Sequence, residues 1–529
     1  MTPSATKEII RAWGPPIATG AGVALTFPRW GLYPLAWVAL VPLIACCRTA
    51  KPSYAALQFF VSGLLFHLVV LQWLASNIYW AGGWAILGYL LLCVYLAIYW
   101  AILGAAWAWM NGRPGPAGGP FAFAVLWAAM EFAQARLFTG FGWPALGYAQ
   151  ARDLLLLQWA SVGTVHLVSA IVVCGGACLA YAIVDRAARF RYLAAAVVLA
   201  TLSHAVGWTM LDDPETASPP LVAGIFQSNF SVEMKQDSAF DVEMVHQAVF
   251  ASRALAEAKG TDLIIWPEAL IINQLKQYPV EEMVREFARD AGTDLFTGSD
   301  RQGRDPLGYY NSSYMIDREG EIVGHYDKMH LAPFGEYVPL SGLLPFVSAV
   351  VPGIGEMASG SEARVFETRG RTLGPLICFE VLFPGMAEEL RRRGADFLVV
   401  ITNLGWFGLS NAIPQELEIA RVRAVETRLP LLHAANTGIS GIFDPWGRFA
   451  VVDGLVDEEG AYREFLETPR PEHTIRQRLT GAFPVPKPGS RPLPAPPVVF
   501  PWLAVAASLI AVCVSLFWRA PAAATSGRD

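Results

Sequence analysis

Three polar side chains outside the strongly apolar parts of the chain have the types needed for nucleophilic chemistry. Cys378 is the only one of seven cysteines that lies outside an apolar segment of membrane length. A free thiol has a pKa of about 8.5, so it needs a base or a cation to become a thiolate at neutral pH. Glu268 could accept the proton, and Lys328 could stabilise both the thiolate and the oxyanion formed when sulfur attacks a carbonyl.

Each of these residues also has an ordinary explanation. A single cysteine is most often a buried small hydrophobic residue, Glu268 could cap a helix, and Lys328 could be a solvated loop charge. All three, however, follow or end strand-like runs, and strand ends are where open α/β sheets collect catalytic groups. Their joint occurrence favours a cysteine nucleophile. The sequence has no HExxH or CxxC spacing, so it predicts no metal site.

The hydrophilic segment that contains these residues alternates strand and helix patterns, which predicts a layered α/β domain. Apolar runs such as 397–401 lack polar alternation, as expected for strands buried on both faces. The predicted strands are 221–227, 262–266, 295–298, 310–316, 373–379, 397–402 and 430–435, with a further strand-like stretch at 321–326. The predicted helices are 240–259, 280–291, 386–393 and 415–428.

The remainder of the chain is typical of a membrane protein. The hydrophobic content of the full chain, 54%, and its mean hydropathy of +0.38 exceed what soluble proteins usually show. Apolar runs near the ~20 residues that cross a bilayer predict eight spans, at residues 12–27, 31–47, 53–75, 82–110, 119–138, 157–185, 191–210 and 498–518. We expect a seven-span transmembrane domain (1–215), a catalytic domain (219–485), a proline-rich linker (486–497) and a C-terminal transmembrane helix (498–518).

The distribution of lysine and arginine predicts a cytoplasmic N-terminus, with Arg29, Arg136 and Arg152 as exceptions. The hydrophilic domain is then extracytoplasmic, where structural cysteines usually pair, so a lone thiol is either buried or functional. Within the fifth predicted span, Glu131 is expected to pair with Arg136. The net charge of −6 comes with no basic block, so nucleic acid is not expected as a partner.

Longer motifs make the sequence similar to the apolipoprotein N-acyltransferase family, a membrane-integrated branch of the nitrilase superfamily. The matching segments are 139–148, 266–268 (Trp-Pro-Glu), 326–339 (Tyr-Asp-Lys-Met-His-Leu-Ala-Pro-Phe-Gly-Glu-Tyr-Val-Pro), 378–380 (Cys-Phe-Glu), 402–408 (Thr-Asn-Leu-Gly-Trp-Phe-Gly), 420–426 and 436–440. The resemblance spans nearly the whole chain. The run that includes Lys328 and Glu336 is highly specific, whereas Trp-Pro-Glu alone is weak.

The resemblance implies an αββα sandwich with Glu268 as general base, Lys328 as oxyanion and thiolate stabiliser, and Cys378 as nucleophile. Supporting roles are implied for Glu336, Glu380, Phe379, Asn403 and Trp406. The implied reaction transfers an acyl chain from the sn-1 position of a phospholipid, typically phosphatidylethanolamine, through a Cys378 thioester. The acceptor is the N-terminal amine of a diacylglyceryl-cysteine apolipoprotein, in the bacterial inner membrane on the periplasmic side. No cofactor is expected, because the ester already carries the acyl group.

The chain departs from the family at Phe379, where tyrosine is frequent, at Gln236, where an aromatic residue is common, and at 404–405, where aspartate is common. An apolar segment at 343–351 predicts a mobile arm that admits lipid, with a packed core segment as the alternative. Two other functions stay open. One is a membrane-anchored carbon–nitrogen hydrolase of small amides, and the other is a non-catalytic membrane lipid-binding protein.

Overall fold

The computed structural model describes residues 3–77, 82–112, 119–138, 140–218, 220–271, 275–303, 308–333, 335–337, 357–408, 410–451, 479–492 and 496–517. The N-terminal part is helical, and the part that begins near residue 222 is built on two β-sheets. The segment 343–351 lies outside the described residues.

The long helices of the N-terminal part correspond to most of the predicted spans. They are α1 (Pro3–Leu25), α2 (Pro52–Val70), α3 (Gly83–Asn111), α4 (Pro120–Gln134), α5 (Ala160–Val184) and α6 (Arg189–Met210). Among the described residues, α2, α3, α5 and α6 are long and apolar enough to cross a membrane. These helices identify a membrane domain, while the count of eight spans stays a prediction.

The second predicted span, 31–47, is not one helix. It consists of the 3-10 helix Tyr33–Leu35 and the short helices Ala36–Ala39 and Val41–Cys47. Proline stands in the first turn of the first and third pieces, where its missing N–H and fixed φ start a helix but cannot continue one. A further short helix, Leu154–Leu157, precedes α5.

The hydrophilic part contains twelve described strands in two sheets of six. The strands are β1 (Val222–Gln227), β2 (Leu263–Ile265), β3 (Asp294–Gln302), β4 (Tyr309–Ile316), β5 (Ile322–Asp327), β6 (Phe366–Thr368), β7 (Arg371–Ile377), β8 (Phe397–Thr402), β9 (Leu431–Ala435), β10 (Gly441–Phe443), β11 (Phe449–Val451) and β12 (Leu479–Pro484). The sheet orders are β12-β1-β2-β3-β4-β5 and β11-β10-β9-β8-β7-β6. In each sheet three neighbouring strands, β1–β3 and β7–β9, are parallel.

The two sheets pack face to face and are covered by helices on their outer sides. Alternate residues such as Ile265 and Ile401 fill the space between the sheets. The outer face of the first sheet packs on α7 (Asp241–Lys259) and α8 (Val280–Ala291), through residues that include Trp266 and Phe287. The second sheet packs on α9 (Pro384–Arg392) and α10 (Ala412–Thr427). The predicted αββα sandwich is therefore confirmed.

The catalytic domain contacts the membrane domain mainly through α10, whose residues are all buried. Gln415 Oε1 accepts hydrogen bonds from the indoles of Trp73 (3.0 Å) and Trp143 (2.7 Å). At the other end, Glu426 Oε1 accepts from Val165 N at 2.8 Å. That N–H is available because α5 is interrupted at Gly163 and Thr164, which have non-helical backbone angles. Beyond the sandwich, α11 (Val499–Phe517) corresponds to the last predicted span.

The predicted pairing of Glu131 with Arg136 is wrong. Glu131 Oε1 instead accepts from Trp127 Nε1 (2.7 Å) and Leu146 N (2.8 Å), and its Oε2 lies 3.7 Å from His166 Nδ1. Arg136 follows the end of α4 and lies over the rings of Phe132 and Trp502. The helix ends at Gln134, so Arg136 is no longer one turn along the same face as Glu131.

Candidate active site

Cys378 stands in a sharp turn immediately after β7. The strand ends at Ile377, and Cys378 begins the 3-10 helix Cys378–Leu382 with a φ of +50°. This corrects the predicted strand 373–379, which ran two residues too far. A positive φ is strained for a residue with a side chain, and such strain is common at functional sites. The turn places Cys378, which is half-buried as a residue, at the end of the parallel strands.

The surroundings of Cys378 set opposing influences on its thiol. Burial and then the charge of Glu268 raise the pKa of Cys378 well above its usual value, while Lys328 and a hydrogen bond from Thr402 lower it. The raised pKa means that the resting residue holds its proton. Attack by sulfur would therefore need a base that accepts this proton during the reaction.

Lys328 is held between two carboxylates. Its Nζ lies 2.8 Å from Glu336 Oε1 and 3.5 Å from Glu268 Oε1, and the side chain is buried. Its backbone is fixed by Asn311 O, which accepts from Lys328 N, and by Gly360 N, which donates to Lys328 O. Burial alone would lower the pKa of Lys328, but the charges of Glu336 and Glu268 raise it above its usual value. The side chain is thus an ammonium at any ordinary pH.

Glu268 and Glu336 come from separate loops and share a neutral donor as well as the lysine. Asn311 Nδ2, on β4, donates to Glu268 Oε1 (2.8 Å) and to Glu336 Oε1 (2.9 Å). Glu336 Oε2 also accepts from Ala332 N at 2.7 Å. Lys235 Nζ donates to the backbone oxygen of Glu268 at 2.9 Å. The structure therefore brings Glu268, Lys328 and Glu336 into one hydrogen-bonded cluster, and the charges of Glu268 and Lys328 act on Cys378.

Glu380 does not face the reacting cluster but ties its two loops together. Its Oε1 accepts from Tyr326 OH (2.7 Å), Met329 N (2.7 Å) and His330 N (3.1 Å), and its Oε2 accepts from Ile377 N (2.8 Å). Burial raises the pKa of Glu380 to about 7. The carboxyl group of Glu380 thus holds the loop of Lys328 against the turn of Cys378. This contact is consistent with the supporting role that the resemblance implies for Glu380.

The other supporting residues are arranged differently from one another. The ring of Phe379 packs edge-on against Phe383, with centroids 5.5 Å apart. Asn403 Oδ1 accepts from Asn436 Nδ2 (2.9 Å) and caps the 3-10 helix Leu404–Phe407 through Gly405 N (3.3 Å). Trp406 lies on that helix and is 38% exposed. The side chain of Gln236 lies outside the described part of the structure.

Four polar residues of the site are absent from the sequence-based prediction. Asn311 and Thr402 contact the predicted residues directly. Lys235 is buried behind Glu268, and burial lowers the pKa of Lys235 to about 8. Glu416 accepts from Thr402 Oγ1 at 3.0 and 3.2 Å. The available signal for Glu416 was its position as a charged residue inside a predicted helix. The sequence pattern alone does not tell which face of the helix it occupies.

The fold and the cluster define a class of protein: a carbon–nitrogen hydrolase type of sandwich, with a cysteine at its strand ends, joined to a helical membrane domain. Two family models match the chain in the same arrangement. Residues 19–178 match the apolipoprotein N-acyltransferase N-terminal domain, and residues 231–462 match carbon-nitrogen hydrolase.

Curated relatives narrow the class to one family. The chain is 35% identical over 455 residues to an apolipoprotein N-acyltransferase of Geobacter metallireducens, covering 84% of this chain and 87% of that protein. It is 34% identical over 479 residues to the Agrobacterium fabrum protein of the same name, covering 83% and 86%. Among solved structures, an amidase mutant from Nesterenkonia sp. AN1 is 22% identical, with coverage of 43% and 87% and a TM-score of 0.33. The chain belongs to the apolipoprotein N-acyltransferase family.

Proposed function

We propose that this protein transfers an acyl chain from the sn-1 position of a phospholipid to the N-terminal amine of a diacylglyceryl-cysteine apolipoprotein. The observation that carries the proposal is the position of the Lys328 ammonium between Glu336 and Glu268, next to the strained turn of Cys378. Membership of the family supports the choice of substrates.

In the first half-reaction, Glu268 accepts the proton of Cys378 as sulfur attacks the ester carbonyl. Lys328 donates to the resulting oxyanion, a contact typically worth roughly 3 kcal/mol of the barrier. The intermediate collapses to a thioester, and the lysophospholipid alkoxide takes the proton from Glu268. The two contacts of Lys328 support this division of roles. Lys328 is closer to Glu336 than to Glu268, so Glu268 is the carboxylate that the lysine holds less tightly. Glu268 is therefore the better placed of the two to accept a proton.

In the second half-reaction, the acceptor amine attacks the thioester carbonyl, and Lys328 again donates to the oxyanion. Glu268 takes the ammonium proton of the tetrahedral intermediate, which becomes the proton of the departing Cys378 thiol. The products are an amide and the free enzyme, so no oxidant, metal or activated cofactor is required.

Phosphatidylethanolamine is the proposed donor, and the bacterial inner membrane with a periplasmic catalytic domain is the proposed location. The location is supported by the lysine and arginine distribution, which puts most basic loop residues on the side of the N-terminus. Proteolysis of intact spheroplasts checks it. External protease should digest the hydrophilic domain, and protection of that domain would contradict the orientation.

Mass spectrometry of the purified protein after incubation with phosphatidylethanolamine tests the reaction. We expect one acyl chain on Cys378, removed by a diacylated lipopeptide, and no adduct in Cys378→Ala. Cys513→Ala is the matched control, because Cys513 is exposed on α11 and should leave the adduct unchanged. Rapid hydrolysis of small amides without a trapped acyl chain would instead indicate the hydrolase, and full function of Cys378→Ala would indicate a lipid-binding protein.

A further inference from the structure

A buried carboxyl group that the mechanism above does not use lies behind the nucleophile. Glu416 is in the second turn of α10 and is 1% exposed. Thr402, at the end of β8, is fully buried, and its Oγ1 lies 3.0 and 3.2 Å from the two carboxyl oxygens of Glu416. The two side chains therefore form a closed polar contact inside the apolar layer between sheet and helix.

The register of the sheet explains why this contact reaches the thiol. Strands β7 and β8 are parallel, with Ile377 opposite Ile401. Thr402 and Cys378 each follow these paired residues, so they stand side by side at the same edge. This places the Thr402 hydroxyl beside the Cys378 thiol, whose pKa it lowers. Glu416, Thr402 and Cys378 thus form a continuous chain of polar groups.

Glu416 is protonated at neutral pH. Burial raises the pKa of Glu416 to about 8; the hydrogen bond from Thr402 and the positive charge of Lys328 oppose the rise, and the charge of Glu268 adds to it. The other titratable side chains on α10 and on the described elements packed against it are Tyr148, His166, Cys174, Cys178, Tyr181, Glu380, Glu388, Glu389, Arg391, Arg392, Glu418, Arg421, Arg423, Glu426 and His433. Each of these has hydrogen-bonding or ionic partners other than Glu416.

The protonation state of Glu416 decides where the single hydrogen of Thr402 points. A hydroxyl has one hydrogen to donate and two lone pairs to accept with. When Glu416 is a carboxylic acid, its O–H donates to Thr402 Oγ1, and the Thr402 hydrogen is free to point at sulfur. When Glu416 is ionised it can only accept, so it takes the Thr402 hydrogen and leaves the sulfur without that donor.

We propose that Glu416 is a positioning residue for the nucleophile: as a neutral acid it directs the Thr402 hydroxyl onto Cys378, and its ionisation withdraws that hydrogen bond. The inference rests on the proposed function, because it assumes that Cys378 is the group that attacks. It adds a proton-dependent element that lies outside the Glu268, Lys328 and Cys378 set. Its hydrogen-bonding effect passes through Thr402, and its negative charge, once Glu416 is ionised, also raises the pKa of the Cys378 thiol.

The variant Glu416→Gln separates this role from simple packing, because glutamine is neutral at every pH and its amide N–H can donate to Thr402 Oγ1. The measurement is the single-turnover rate of Cys378 thioester formation with phosphatidylethanolamine between about pH 6 and about pH 10. The wild-type rate should fall as Glu416 ionises at alkaline pH. Glu416→Gln should stay within about threefold of wild type near neutrality and lose the alkaline fall.

Two variants of Thr402 complete the test. Thr402→Val removes the hydroxyl at nearly constant volume and should slow thioester formation about tenfold at every pH, since a hydrogen bond to a charged group is lost. Thr402→Ser restores the hydroxyl and should restore the rate. Thermal unfolding of each variant checks that the fold is kept.

The proposal is overturned if Glu416→Gln keeps the alkaline fall of wild type, or if it slows the reaction equally at all pH values. Alkylation of Cys378 by iodoacetamide over the same pH range gives a readout that needs no acyl transfer. If wild-type protein forms no thioester, the proposed function fails. A pH profile of alkylation that is the same in wild type and Glu416→Gln refutes the positioning role alone.

Discussion

Two charged clusters, one at the strand ends of the sandwich and one at its interface with the membrane domain, differ in their balance of charge. In the candidate active site, one ammonium, Lys328, serves two carboxylates, Glu268 and Glu336. At the interface between domains, two arginines, Arg152 and Arg421, contact the single carboxylate of Glu418. The site therefore has an excess of acceptors, and the interface has an excess of cations.

The surplus charged groups of the two clusters find their partners in different ways. At the interface the surplus donors bind fixed neutral acceptors, as when Arg421 donates to Gly447 O and Arg428 donates to Gln158 Oε1 and Pro445 O. Nothing in such a network needs to gain or lose a proton. In the site, the second carboxylate shares a lysine already bound at 2.8 Å to the first. Under the proposed mechanism, this second carboxylate is the group that accepts the proton of the thiol.

Removing the Lys328 ammonium, which contacts both carboxylates, should give the largest effect on activity. In Lys328→Met, the two carboxylates lose their shared cation and the oxyanion loses its donor, so thioester formation should fall by about 10³-fold. The rate is measured by mass spectrometry of the acyl-enzyme. Lys487→Met is the control, because Lys487 forms an exposed pair with Glu215 and should keep the full rate. Equal rates in both variants would remove Lys328 from the mechanism.

Breaking the interface should affect folding instead of chemistry. Arg423 is fully buried, with Nη1 2.7 Å from Glu426 Oε2 and Nη2 donating to Tyr148 OH at 2.8 Å. Arg423→Ala should destabilise the protein by about 3–5 kcal/mol, because Glu426 is left buried without its cation. The midpoint of thermal unfolding in detergent measures this.

Arg253→Ala provides the matched comparison, since Arg253 pairs with Asp290 at 2.7 Å on the surface. Its loss should cost about 0–1 kcal/mol. Similar shifts in the unfolding midpoint for the two variants would mean that burial does not distinguish the clusters. An Arg423→Ala protein that unfolds normally but has no activity would assign the interface a role in chemistry.

Local patterns predicted most elements of the sandwich from the sequence. The strand at 397–402 and the helix at 280–291 have the predicted bounds, because a continuous apolar run and a strongly amphipathic repeat each fit one structure. The strands β6, β10, β11 and β12, which lie at or next to the sheet edges, were not predicted. Each is defined by pairing with a neighbour distant in the chain or by a turn, which a local pattern does not contain.

Some features of the candidate site could likewise be predicted from the sequence, and others could not. Glu268, Lys328 and Cys378 could be predicted, since each follows a recognisable strand. The strained turn at Cys378 and the bridging by Asn311 could not, because both depend on how the two sheets meet. Arg136 was assigned to Glu131 by spacing along one helix, and the helix ends before reaching it. His166, the actual neighbour, comes from another helix.

The smallest of these effects should come from an uncharged contact at the interface. Gln415 has two indole donors on Oε1, and its Nε2 donates to Val70 O at 3.1 Å. Gln415→Leu keeps a similar volume but leaves the indoles of Trp73 and Trp143 and the carbonyl of Val70 unpaired inside the protein. Each unsatisfied group costs about 1–3 kcal/mol, less whatever rearrangement recovers, so the expected loss is about 2 kcal/mol.

Unfolding midpoints of Gln415→Leu and Gln277→Leu check this, because Gln277 is exposed and its replacement should change stability little. The destabilisation by Gln415→Leu should be smaller than that by Arg423→Ala, since no charge is left buried. A larger loss for Gln415→Leu would show that neutral hydrogen bonds, not the surplus of cations, hold the two domains together. The contrast between an interface with surplus cations and a site with surplus carboxylates would then rest on the site alone.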